Sequence, residues 1–199
     1  MEEKQSRLVR GVEFFYELVK ASLYFWFLLV KNGVVYGLLP ALSYTMAYGT
    51  TTEKKEEKFY GVLTKKRTAI HYAKGFSFAW FFVAGLLVLS ISLLKETSQP
   101  VVQILSIAVL FSFILFTLYM VWVAWLFVKN PMQKQLYAVA LDQLVRHPLI
   151  SLYGLSLLGT AVLLAWVNLL IFICLAPGIF VWLIDKGFTK SLAQPQTQA

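Results

Sequence analysis

The stretch LISLYGLSLLGTAVLLAWVNLLIFICLAPGIFVWLI, from Leu149 to Ile184, holds no Asp, Glu, Lys, Arg or His. As one helix it would extend about 54 Å at a rise of about 1.5 Å per residue. A bilayer crossing needs only about 20 residues to cover about 30 Å of hydrocarbon. The stretch is therefore too long for one crossing and suits two. Trp166-Val167-Asn168 is the expected turn, because tryptophan favours the membrane interface and asparagine tolerates turn geometry. Pro177-Gly178 should kink the last helix without ending it, since Ile179 to Ile184 continues the apolar run.

Three more apolar blocks precede this one: Ala21 to Tyr48, Gly75 to Leu94 and Val101 to Val128. The second block crosses once, and the third crosses once with tilt or overhang. Lys31, Asn32 and Pro40 interrupt the first block. Read as one crossing, it brings the total to about five and places residues 1–20 outside. Broken at Pro40 into a crossing and a second short helix, it returns the N-terminus inside. The single crossing is the expected one.

Composition agrees with this layout. Of 199 residues, 59% are hydrophobic and 14% charged, and mean hydropathy is +0.68. A soluble domain of this size needs far more polar surface. The net charge of +8 could point to nucleic acid, but the basic residues lie between apolar blocks. Retention of Lys and Arg at the cytoplasmic face explains them without a nucleic-acid partner. Seven Lys and Arg residues between Lys54 and Lys74 separate the first two blocks, and Lys129, Lys134 and Arg146 separate the last two. Only Lys95 lies between the second and third blocks. The alternation predicts that both long basic loops and the C-terminus face the cytoplasm. Trp122, Trp125 and Trp182 are expected in an aromatic belt at that boundary.

The fold class is thus all-α, a polytopic transmembrane helix bundle with interfacial amphipathic helices. Residues 1–20 form a polar or amphipathic N-terminal segment, 21–188 the transmembrane domain, and 189–199 a disordered tail. Phe59, Val62, Leu63, Ile70 and Ala73 fall on one helical stripe, and so do Leu136, Val139, Ala140, Leu144 and Val145. Both stripes suit helices lying on the membrane surface.

No constellation for chemistry stands out. Cys174 is the lone cysteine, which excludes a disulfide framework or a cysteine metal site. His71 and His147 lack a second ligand at helical spacing, no nucleophile has a base beside it, and there is no phosphate-cradling loop. The expectation is a protein that is not an enzyme and needs no cofactor. The polar residues inside apolar blocks remain. A lysine at mid-membrane costs about 2.5–3.5 kcal/mol, so Lys31 is a functional candidate by default unless it snorkels to the headgroups. Asn32, Tyr44 and Asn168 join it as candidates to line a polar path, although such groups more often bond to backbone or glue helices.

The stretch KNGVVYGLLPALSY, residues 31–44, resembles the opening of the YesL-like family of bacterial membrane proteins, and Arg146-His147-Pro148-Leu149 resembles its entry to the penultimate helix. The sequence differs from the family pattern at Ser43-Tyr44 and in carrying Lys31. The resemblance implies residence in the bacterial cytoplasmic membrane and an accessory role beside a carbohydrate ABC transporter, whose components would be the protein partners besides lipid. A small transporter or channel subunit is the alternative function.

Overall fold

The computed structural model describes residues 2–49, 67–96, 99–129 and 135–193, with side chains for 9–48, 74–94, 99–129 and 135–190. The described residues form seven helices and no strand: α1 Glu2–Lys31, α2 Val34–Gly49, α3 Arg67–Glu96, α4 Pro100–Lys129, α5 Leu136–Arg146, α6 Pro148–Val167 and α7 Leu169–Ala193. Four of them contain spans long and apolar enough to cross a membrane: Lys74–Leu94, Pro100–Lys129, Pro148–Val167 and Leu169–Lys190. The chain is an all-α bundle with the architecture of a multi-pass membrane protein.

The last apolar block divides at Asn168. Its backbone leaves the helical region (φ −154°, ψ 104°), and its side-chain oxygen accepts the N–H groups of Leu170 and Ile171 at 3.0 and 3.1 Å. Asn168 therefore ends α6 and caps α7, supplying acceptors that lipid cannot. Pro177 lies inside α7 without ending it.

The first block is not a single crossing. It breaks at Asn32-Gly33 and not at Pro40, the break point of the alternative reading, which sits inside α2. Gly33 adopts φ +74°, a left-handed conformation that side chains disfavour. Asn32 donates its side-chain amide to the Leu28 carbonyl at 2.8 Å, closing the end of α1. The two helices then run back antiparallel. A Cβ at Gly37 would stand 2.5 Å from the Leu29 carbonyl oxygen, so only glycine permits that approach. Further along, the Tyr48 hydroxyl donates to Glu17 at 2.6 Å. Burial, then this bond, pushes the Tyr48 phenol above its ordinary pKa. Residues near 17–20 therefore stand level with the end of α2.

Antiparallel pairs build the rest. In the α3–α4 pair, Ser106 bonds to the Ser90 carbonyl and the Trp80 indole donates to Thr117. In the α6–α7 pair, the Tyr153 hydroxyl donates to the Leu183 carbonyl, and Gly154 lies against Ile184 and Phe188. Helix α1 runs antiparallel to α7, with Phe14 on Trp182 and Trp26 on Ile173.

The main buried core sits at one end of the bundle. It joins Leu39 and Met46 of α2, Met120 to Leu126 of α4, Leu136 and Ala140 of α5, Ile150 of α6, and Phe180, Val181, Ile184 and Phe188 of α7. Helix α5 packs Leu136 and Ala140 inward and leaves Leu141 and Val145 exposed, so both sides of it are apolar. The expected belt residues Trp122 and Trp125 are instead core. Trp122 is 0% exposed, because the end of α4 is covered by α5, α6 and α7. The expected boundaries at 20 and 189 also give way, since α1 is continuous through residue 20 and α7 continues to Ala193. Residues 194–199, and the amphipathic stripe over 59–66, lie outside the described residues; so do the side chains of Ile70 and Ala73.

Candidate functional site

Two seams of polar contacts involve α7. The first follows from Pro177. Proline lacks an N–H, so the Ile173 carbonyl four residues earlier loses its helical donor. In lipid an unmet backbone group costs several kcal/mol. Helix α1 meets this need: the Trp26 indole donates to the Ile173 carbonyl at 2.9 Å. One turn away, the Gly178 N–H donates to Ser22 Oγ at 2.9 Å, and the Ser22 hydroxyl donates to the Leu18 carbonyl at 3.0 Å. Ser22 is fully buried. Gly178 is required because a Cβ there would run into the Leu18 carbonyl oxygen. Beside Pro40, the Leu39 N–H donates to the buried Ser77 Oγ of α3 at 2.9 Å.

The second seam lies at the core end. The Trp122 indole donates to Ser151 Oγ at 3.1 Å, and its ring lies 4.4 Å from that of Phe188. The Trp125 indole donates to Asp185 Oδ1 at 3.3 Å, and Lys129 Nζ is 3.0 Å from the same oxygen. Helices α4, α6 and α7 are thereby tied together. Ser151 directs its hydroxyl proton to the backbone carbonyls of Leu144 and His147. The His147 ring stacks at 6.5 Å on Trp122. This geometry holds helices and does not activate the Ser151 oxygen as a nucleophile. Among the described residues no three His, Cys, Asp or Glu side chains gather as metal ligands.

Of the four residues expected to line a path, Lys31 and Asn32 share the α1–α2 turn, Asn168 forms the α6–α7 turn at the same end of the bundle, and Tyr44 lies within the α1–α2 pair. Lys31 is exposed at the α1–α2 turn, its ammonium 5.8 Å from the Phe27 ring centre. Asn32 caps α1, and Asn168 caps the α6–α7 turn. Tyr44 is buried between α1 and α2 beside Phe25, Leu28, Leu29 and Ala41, and its hydroxyl finds no partner. No hydrogen bond, ion pair or ring contact links any of the four to another among the described residues. Ser22, Trp26, Ser77 and Ser151 carry more of the polar architecture. The prolines were the signal for the first three, since each freed or displaced backbone group implies a donor or acceptor on a neighbouring helix.

No family model, no curated protein and no solved structure matches this chain.

Proposed function

We propose that the chain is a non-enzymatic protein of the bacterial cytoplasmic membrane that works by binding another membrane protein. The observation that supports this is where the apolar surface lies. Only 11 to 22% of the most apolar stretch of each candidate span is buried within the chain. Its polar groups, meanwhile, are spent largely on capping turns and joining helices. What the spans offer their surroundings is shape and apolar contact, the currency of helix association in lipid. The resemblance to YesL-like proteins names the first partner to seek, a component of a carbohydrate ABC transporter. The test is purification of the tagged chain in mild detergent from cells expressing such a transporter, with the recovered proteins identified. Recovery of its membrane subunit in stoichiometric amount is expected. A folded chain that brings down no transporter component overturns the assignment.

The same reading sets the sidedness. The α1–α2 hairpin returns the chain to the side on which it started, so the N-terminal half of α1 shares a side with the basic segment 50–66. We place that side, with residues 130–135 and the C-terminus, in the cytoplasm. In a Cys174→Ser background, Lys58→Cys should react with an impermeant maleimide only after permeabilisation, and Lys31→Cys in intact cells. Labelling of position 58 in intact cells would overturn the orientation.

A further inference from the structure

Building on the membrane reading above, we propose that Arg10, Lys186 and Lys190 form a binding site for the headgroup of an anionic phospholipid at the core end of the bundle. The Phe14–Trp182 ring contact, 5.1 Å between centres, fixes the register of α1 against α7. Arg10 lies one helical turn before Phe14, and Lys186 lies one turn after Trp182 with Lys190 a further turn on. Because the helices are antiparallel, these displacements point the same way. The pairs Trp26–Ile173, Ser22–Gly178 and Phe14–Trp182 keep this register along the whole seam. Arg10 and Lys186 therefore arrive at the same level on adjoining helices, with Lys190 beyond.

All three side chains are exposed and make no ion pair among the described residues. Three of the carboxylates whose side chains are described are engaged elsewhere: Asp185 with Lys129 and Trp125, Glu17 with Tyr48, and Asp142 with Arg146. Glu13, exposed at i+3 from Arg10, remains nearby. Like charges converging at a membrane border repel unless an anion sits among them. Lys186 Nζ stands 4.0 Å from the Trp182 ring centre, so an aromatic floor lies beneath the cations. Phe14, Phe15 and Tyr16 are exposed beside it and suit the headgroup layer. A phosphate on a glycerol backbone fits, with its oxygens toward the cations and its acyl chains along the apolar flank of α7.

The experiment uses the full chain in detergent, titrated with phosphatidylglycerol or phosphatidylcholine and read by native mass spectrometry. Wild type should retain phosphatidylglycerol in preference. Each cation removed should weaken that preference about fivefold, so R10Q/K186Q/K190Q should bind both lipids alike, while K31Q at the opposite end keeps the wild-type ratio. An unchanged melting profile shows that the triple variant is folded. Equal retention of the two lipids by wild type, or an undiminished preference in the triple variant, overturns the proposal. Displacement of phosphatidylglycerol by millimolar inorganic phosphate would mark a soluble-anion site and overturn the lipid assignment. Release of the chain from membranes by alkaline carbonate would instead sink the membrane reading beneath it, which separates the two failures.

Discussion

The Pro177 seam offers the sharpest test of the fold. In Gly178→Ala the added methyl would collide with the Leu18 carbonyl and stand 2.9 Å from Ser22 Oγ. Backbone oxygen cannot rotate away, so the seam must open until the carbon–oxygen distance reaches about 3.3 Å. That movement also stretches the 2.9 Å bond from Gly178 N–H to Ser22 past useful length. Overpacking costs about 1–3 kcal/mol. The stranded N–H adds about 1 kcal/mol, near the values for interhelical bonds in membranes. Gly178→Ala should therefore lose about 2–4 kcal/mol, and Ser22→Ala, which removes only the acceptor, about 1–2 kcal/mol. The double variant should lose no more than Gly178→Ala alone, because the bond that Ser22 makes is already broken in it. That leaves a coupling of about 1 kcal/mol or more in a double-mutant cycle. Gly159→Ala is the control: nothing stands within 4 Å of its would-be Cβ, so it should be neutral or slightly stabilising. The assay is reversible unfolding in dodecyl maltoside with rising dodecyl sulfate, followed by circular dichroism. A Gly178→Ala protein as stable as wild type, or losses that simply add, would refute the close α1–α7 approach.

Ser77→Ala should cost about 1–2 kcal/mol by stranding the Leu39 N–H beside Pro40, whereas Ser112→Ala, whose hydroxyl is exposed and bonds only its own helix, should cost less than about 0.5 kcal/mol in the same assay. Trp122→Phe removes a bond to Ser151 and core volume at a fully buried site and should cost about 2–4 kcal/mol. Trp166→Phe, at 92% exposure, should change stability by less than about 0.5 kcal/mol; equal effects of the two tryptophan changes would contradict the placement of the core. Asp185→Asn keeps an acceptor for Trp125 and gives up an ion pair whose side chains are 34% and 24% exposed, a loss of under about 1 kcal/mol once solvent screening is counted. Asp185→Ala strands the indole as well and should lose about 1–2 kcal/mol.

Much of the fold was open to a reader of residues alone because lipid imposes simple demands. A run from Leu149 to Ile184 has to fold back on itself, and Asn168, whose backbone ends α6 and whose side chain caps α7, marks the turn. The second and third blocks came out as α3 and α4 for the same reason, and the stripe from Leu136 to Val145 came out as α5. The first block misled because its 28 residues look cramped for two antiparallel helices, which favoured a single crossing. In this chain Ser77 accepts the Leu39 N–H beside Pro40, α2 passes through Pro40, and the break falls at Asn32-Gly33, where a left-handed turn is cheap. Trp122 and Trp125 misled in the opposite sense. Tryptophan near the end of an apolar block suits the interface or the core equally, and only the fold of α5, α6 and α7 over that end decides. Lys31, Asn32 and Asn168 were legible as interruptions, but that their two turns come to the same end of the bundle depends on tertiary geometry that no local pattern encodes.

The uneven distribution of burial follows from which solvent each end meets. At the core end α2 and α4 finish, α3 and α5 begin, and the sequence carries most of its charge near those helix ends. There α5 folds across the helix ends and closes a core around Trp122, since any apolar side chain left in water would cost about 25 cal/mol per Å². Toward the other end the α3–α4 and α6–α7 pairs stay largely apart. Contacts that join them, such as Leu118 on Gly154, Trp122 on Ser151 and Phe188, and Trp125 on Asp185, belong to the half nearer the core. Beyond those contacts Ile104, Leu105, Ile107, Val162 and Leu163 are all exposed. In water the two arms would collapse together. In hydrocarbon they gain nothing by doing so, because acyl chains are as apolar as leucine, and helices associate there only through close packing or polar bonds. The arms supply both within each pair, through Ser90 and Ser106 and through Gly154 and Gly187, and supply neither between the distal halves of the two pairs. Separated arms are thus what lipid permits, and the space between them is where a partner helix with small or polar residues of its own could add the contacts that this chain lacks.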